Sequence, residues 1–300
     1  MLRRTLQAAA RRGGPLRKAV ERMPSARAAA GRYVAGETVG EVLLATRILR
    51  SEGMLVSVDR LGDDVTDRAE AESTVQAYER LLQELPEGAE VSLRLGALGV
   101  RFDEALAYAC AERICEAAAA AGTTVTIDME DHGSLEATRR VVDGLRFGYP
   151  ATGAVVQSSL RRSEEYCAEL SHAESRVRLC KGSFPASSDV AFTDREEIDR
   201  SFVRCLRVLM AGEGYPMIAT HDPRLLEIVD ALRIIHDRPY DSFEYQMFYG
   251  VRPDEQRRLA DSGARMRVYV PYGGNWYPYV MRRMSEHPAD LRFLLRGAPT

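Results

Sequence analysis

Residues 124–157 read TVTIDMEDHGSLEATRRVVDGLRFGYPATGAVVQ. The stretch opens on a short β-branched run, TVTID, passes through a segment of helical periodicity, and closes on a second strand-like run, GAVVQ. A strand, a helix and another strand in this order predict a parallel pair, because parallel neighbours need a crossover of a dozen or more residues. The same unit repeats in both directions from about residue 38. Strand-like runs fall at MLVSV (54–58), VSLRL (91–95), TVTID (124–128), GAVVQ (153–157), VRLC (177–180), PMIA (216–219), FEYQ (243–246) and MRVYV (266–270). Ten to twenty residues of helical spacing follow each run, and eight such units close a barrel. The predicted fold is α/β, a (βα)8 TIM-like barrel with an N-terminal helical extension. Residues 1–35 are assigned to a helical cap and 36–300 to the barrel.

Composition fits one large core. Of the 300 residues, 45% are apolar and 28% charged, and no apolar run is long enough for a membrane helix. A net charge of −3 argues against a nucleic-acid binder and for a small-molecule substrate. Cys110, Cys115, Cys167, Cys180 and Cys205 form no C-x-x-C pair and sit in apolar stretches, which suits a reduced cytoplasm. Lys18 and Lys181 are the only lysines, so nearly every other cation is arginine. The first thirty-odd residues are rich in Arg and Ala and reach Glu21 before any acid. Two readings stand for them: a cap on the barrel, or a basic segment for transit or for peripheral contact at the inner membrane.

Barrels of this kind assemble their sites from the C-terminal ends of the strands. Those ends carry Arg94, Asp128, Gln157, Arg178 with Lys181, Thr220 with His221, Gln246 and Tyr269. After the last strand comes PYGGNWYPYVMRRMSEHP (271–288). On a helix, Tyr279 lies three and four residues before Arg282 and Arg283, so the ring shares a face with at least one guanidinium. Paired guanidiniums bind carboxylates through forked hydrogen bonds, which implies an anionic small molecule. The segment IDMEDH (127–132) can be read as a hard-metal site. Strand alternation argues against that reading, and no metal is expected. Lys181 can be read as a Schiff-base lysine of an aldolase. No G-x-G-x-x-G follows a strand, so a Rossmann turn is not the route to any dinucleotide.

VRLCKGSF (177–184), IATHDPRL (218–225), FEYQMFYGVRPDEQRRLA (243–260) and RVYVPYGGNWYPYVMRRM (267–284) resemble, in the same order, the motifs of monofunctional bacterial proline dehydrogenases. The likeness runs from about residue 34 to the end of the sequence, where the family's bifunctional members would continue into an aldehyde dehydrogenase domain. It implies a barrel that binds FAD noncovalently, oxidises L-proline to 1-pyrroline-5-carboxylate and passes electrons to a quinone. Carried across, Gln157, Arg178, Lys181, Thr220, His221 and Glu286 would hold the flavin. Arg282 and Arg283 would clamp the substrate carboxylate, and Tyr269, Tyr279 and Asp128 would line or brace the pocket. Asp63 would pair with Arg282 as a gate.

Six residues at four places in the pocket depart from the family pattern. Arg94 replaces a lysine, Ser183 and Phe184 replace Ala-Tyr, Phe248 replaces a leucine, and Ser158 with Ser159 replaces another Ala-Tyr pair. Tyr269 is retained, which argues against the hydroxyproline branch. The changes leave open an alternative in which a related flavoenzyme oxidises another cyclic or N-substituted amino acid. A barrel that binds flavin or a ligand only to regulate is also compatible with the residues.

Overall fold

A computed structural model describes residues 23–130, 132–182 and 186–286. Eight parallel strands close on themselves in sequence order. They are β1 (Leu55–Arg60), β2 (Glu90–Arg94), β3 (Thr124–Asp128), β4 (Gly153–Gln157), β5 (Arg176–Cys180), β6 (Tyr215–Ala219), β7 (Glu244–Phe248) and β8 (Met266–Tyr272). The pairing of β1 with β8, Ser57 beside Tyr269, completes the circle. The predicted barrel is therefore the observed one.

The principal helices are α1 (Pro24–Ala30), α2 (Val39–Ser51), α3 (Arg68–Leu82), α4 (Glu104–Ala120), α5 (Leu135–Gly148), α6 (Ser163–Glu169), α7 (Arg195–Ala211), α8 (Pro223–Ile235), α9 (Pro253–Asp261) and α10 (Trp276–Glu286). Their starts are written in the sequence. Asp67, Asp103, Asp194 and Asp222 each accept a backbone N–H of the first turn of α3, α4, α7 and α8, satisfying donors that a helix leaves unpaired. Thr38 and Glu41 make a reciprocal capping box at α2.

Two cores result. The large one lies between strands and helices, where outward-facing Val91, Leu93, Val177 and Leu179 meet side chains such as Leu81, Ile114 and Phe202. The smaller one joins Ala30, Tyr33 and Val34 to Trp276, Tyr277, Tyr279 and Val280, so the residues after α1 pack against α10. Gly250 lets the chain pass beneath this segment. Its φ is +71°, and a Cβ there would lie 1.6 Å from the carbonyl oxygen of Arg32, so no larger residue fits. Residues 1–22 of the N-terminal extension lie outside the described residues. Among the described residues, no helix is long and apolar enough to cross a membrane.

Candidate active site

The barrel interior is polar. Strand alternation turns Ser57 and Asp59, Glu90, Ser92 and Arg94, Arg176 and Arg178, and Glu244 and Gln246 inward, where a barrel of this class ordinarily packs branched aliphatics. Arg178 lies at the centre. Its Nε donates to Gln246 Oε1 at 2.6 Å. Nη1 donates to Ser92 Oγ and Asp128 Oδ1, both at 2.6 Å, and Nη2 to Ser57 Oγ at 3.2 Å and Glu90 Oε1 at 2.5 Å. A guanidinium has five N–H donors, and all five are used by four other strands. What Arg178 offers the mouth above it is charge, with its hydrogen bonds already committed. Below it, Arg267 forks onto Glu244 at 2.7 and 3.0 Å.

At the mouth, Tyr269 donates its hydroxyl to Asp128 Oδ2 at 2.9 Å. Burial, and then the carboxylates of Asp128 and Asp59, push the Tyr269 phenol well above its ordinary range, which keeps it a donor. Burial also raises the Asp128 carboxyl, against the pull of Arg178 and with the like charge of Asp59 adding to the rise.

Phe248, closing β7, joins the two sides of the mouth. The His221 ring stacks on it at 5.3 Å, Tyr269 meets it edge-on at 5.5 Å, and Tyr279 lies at 6.5 Å. The Arg283 guanidinium sits 4.2 Å from its centre, a close cation–π contact. Arg282 and Arg283 lie 5.9 and 5.8 Å from the Tyr279 ring, so α10 brings both arginines to that ring. The backbone N–H of Phe248 donates to His221 Nε2 at 2.9 Å, which in the neutral ring leaves the proton on Nδ1. Arg252 donates to the His221 carbonyl at 2.6 Å and is one of three non-glycine residues with positive φ among those described.

Lys181 is ion-paired with Asp199 at 2.6 Å and Asp222 at 3.2 Å. The second contact ties it to the cap of α8. Two carboxylates around an ammonium are the reverse of the apolar setting a Schiff-base lysine needs. Gln157 donates to the Met129 carbonyl at 3.1 Å, and Thr220 Oγ1 accepts the N–H of Asp222 at 3.2 Å. Gly182 turns with φ +88°, and a Cβ there would strike Ser159 Oγ and Gln157 Oε1. The loop after β5 is thereby pressed onto the end of β4.

Some candidates are placed differently from the expectation. Arg94 directs its fork at the first strand, to the carbonyls of Arg60 at 3.1 Å and Gly62 at 3.3 Å and to Asp59 at 3.4 Å. Asp63 is exposed and, among the described residues, forms no ion pair with Arg282. Asp128 and Glu130, from the segment that could be read as a hard-metal site, serve separate partners, Glu130 accepting the N–H of Gly96 at 2.7 Å. Ser158 and Ser159 tie the end of β4 to the end of β5, their N–H groups donating to the carbonyls of Cys180 and Lys181. Ser183, Phe184 and the side chain of Glu286 lie outside the described residues. Asp59, Glu90, Glu244 and Arg252 escaped the sequence reading. The alternation E-V-S-L-R and E-Y-Q-M-F carried the signal for Glu90 and Glu244.

A cavity of about 420 Å³ lies elsewhere, lined by residues such as Glu174, Glu213, His236 and Arg238 before β5, β6 and β7. Arg238 spends its donors on the carbonyls of Met210, Gly212, Gly214 and Ser242. That space lies at the strand N-termini, the end of the barrel opposite the mouth.

A closed parallel barrel whose strand C-termini gather arginines, tyrosines and a histidine has the architecture of an α/β-barrel enzyme. The family model for proline dehydrogenase matches residues 42–296. Proline dehydrogenase 1 of Bacillus subtilis is 34% identical over 274 residues, covering 90% of this chain and 91% of its own. The proline dehydrogenase of Deinococcus radiodurans is 32% identical over 276 residues, covering 89% of each. The solved structure of proline utilization A from Bdellovibrio bacteriovorus superposes with a TM-score of 0.79 at 22% identity. The superposition covers 86% of this chain and 32% of that longer one. The chain belongs to the proline dehydrogenase family.

Proposed function

We propose that this protein oxidises L-proline to 1-pyrroline-5-carboxylate with a noncovalently held FAD, delivering the electrons to a quinone. The observation that carries the reading is the paired guanidiniums of Arg282 and Arg283 beside Tyr279 and Phe248, at the mouth of a barrel whose sequence matches the family over residues 42–296.

The donor set suits a flavin. Lys181 and the charge of Arg178 answer an anionic cofactor, while Gln157, Thr220 and His221 offer the amide, hydroxyl and imidazole that a heteroaromatic ring and its ribityl chain accept. Glu286 completes the proposed set. When bound, FAD supplies the acceptor for the hydride leaving the substrate carbon beside the nitrogen. The chain's own residues hold and orient. Arg282 and Arg283 clamp the carboxylate, and the Phe248 face steadies Arg283. Asp128, gripped by Arg178, fixes the Tyr269 hydroxyl. Arg94 adds positive charge from the end of the second strand. The aromatic rings of Phe248, Tyr269 and Tyr279 exclude water from a substrate whose amine must reach the site neutral. Purified protein should be yellow, release FAD on denaturation, and reduce an artificial electron acceptor when L-proline is supplied. A colourless protein inactive with added FAD would remove this reading.

A further inference from the structure

Glu90 opens β2 at the base of the barrel, has no solvent exposure, and touches none of the groups proposed to hold substrate. Its Oε1 accepts from Ser57 Oγ at 2.7 Å and from Arg178 Nη2 at 2.5 Å, and its Oε2 from Arg176 Nη2 at 3.2 Å. Burying a carboxylate is costly even when it is paired, and an apolar side chain can fill equal space at no such cost. The contact it makes with Arg178 is therefore the informative one. Arg178 is held between two carboxylates, Glu90 below at 2.5 Å and Asp128 above at 2.6 Å. With both ends anchored, its guanidinium has a fixed height beneath the mouth.

The charges are also balanced. Arg176, Arg178 and Arg267 face Glu90, Asp128 and Glu244. Burial works to raise the Glu90 carboxyl, but Arg178, Arg267 and Arg176 together hold it below the usual range. It is thus ionised, and neutralising it leaves one uncompensated positive charge in a water-poor interior, where electrostatic effects are large.

We propose that Glu90 is a positioning residue which, through Arg178, sets the position and strength of the positive charge beneath the cofactor and so tunes the reduction potential of the bound flavin. The inference rests on the flavin reading given above. Negative charge gained on reduction is stabilised by nearby cations, so loss of the Glu90 charge favours the reduced form.

The test is the midpoint potential of the flavin in the intact holoenzyme, measured for wild type, E90Q and E90D. E90Q is expected to shift the reduced-to-oxidised ratio at fixed poise upward by roughly tenfold, about 30 mV for a two-electron couple. E90D keeps the charge but draws it back from Arg178, so its shift has the same sign and is smaller; it also serves where E90Q yields no holoenzyme. A merely structural Glu90 lowers the melting temperature and leaves the potential unmoved in both variants, and that result overturns the assignment alone. A wild-type protein that cannot be loaded with flavin overturns the assignment together with the reading beneath it.

Discussion

The Tyr269 hydroxyl donates to Oδ2 of Asp128 at 2.9 Å while Arg178 donates to Oδ1 of the same carboxylate at 2.6 Å. A ring at the mouth, proposed to line the substrate pocket, is thereby tied to the charged centre of the barrel. Y269F removes one donor from a buried carboxylate and should cost about 1–2 kcal/mol of stability. It should also lower kcat/KM for proline by roughly tenfold through loss of ring placement. Thermal melting and steady-state kinetics on the flavin-loaded variant check both numbers.

Phe248 steadies Arg283 through a desolvated cation–π contact worth up to about 2 kcal/mol. F248L should therefore raise KM for proline by roughly tenfold, and R283A by about a hundredfold, since it would also delete the proposed forked contact with the carboxylate. The visible flavin spectrum should stay the same in both. A spectrum lost or shifted in R283A would place that arginine on the cofactor.

Arg94 spans an aspartate and two carbonyls of the β1 end, a geometry an ammonium cannot copy. R94K should lower the melting temperature by about 2–4 °C, the shift produced by losing roughly 1 kcal/mol in a protein of this size class. Its effect on KM should be far below that of R283A. A KM change as large as that of R283A would show that Arg94 grips the substrate directly.

Asp222 links Lys181 to the start of α8. Burial opposes its ionisation, but hydrogen bonds from Arg224 and Lys181 carry its carboxyl down from the usual 3.8 to about 2. A carboxyl depressed on folding stabilises the protein above its unfolded pKa, and that contribution is lost as pH falls through the folded value. Melting temperature should thus decline between about pH 4 and pH 2, and more shallowly in D222N than in wild type. Parallel profiles for the two proteins would contradict this role.

Most of the barrel was legible because β-branched runs at regular spacing have few other uses. The eight predicted runs coincide with the eight strands to within a few residues. Those few residues mattered. Starting the second strand at 91 and the fifth at 177 left out Glu90 and Arg176, which open β2 and β5. A charged residue beside a strand reads as solvated rim in one dimension, and only closure of the barrel turns it inward. The mouth was better foretold: Asp128, Tyr269, Phe248, Tyr279, Arg282 and Arg283 do converge. The direction of Arg94 was not legible, because a long side chain at a strand end can reach either the mouth or its neighbouring strand.

The central claim is tested most directly by anaerobic titration of the purified, flavin-loaded protein with L-proline while following the visible flavin band. Progressive bleaching that ends when the bound cofactor is reduced is the predicted result. A yellow protein that proline leaves unbleached, while another cyclic or N-substituted amino acid reduces it, would contradict the assignment of proline as substrate.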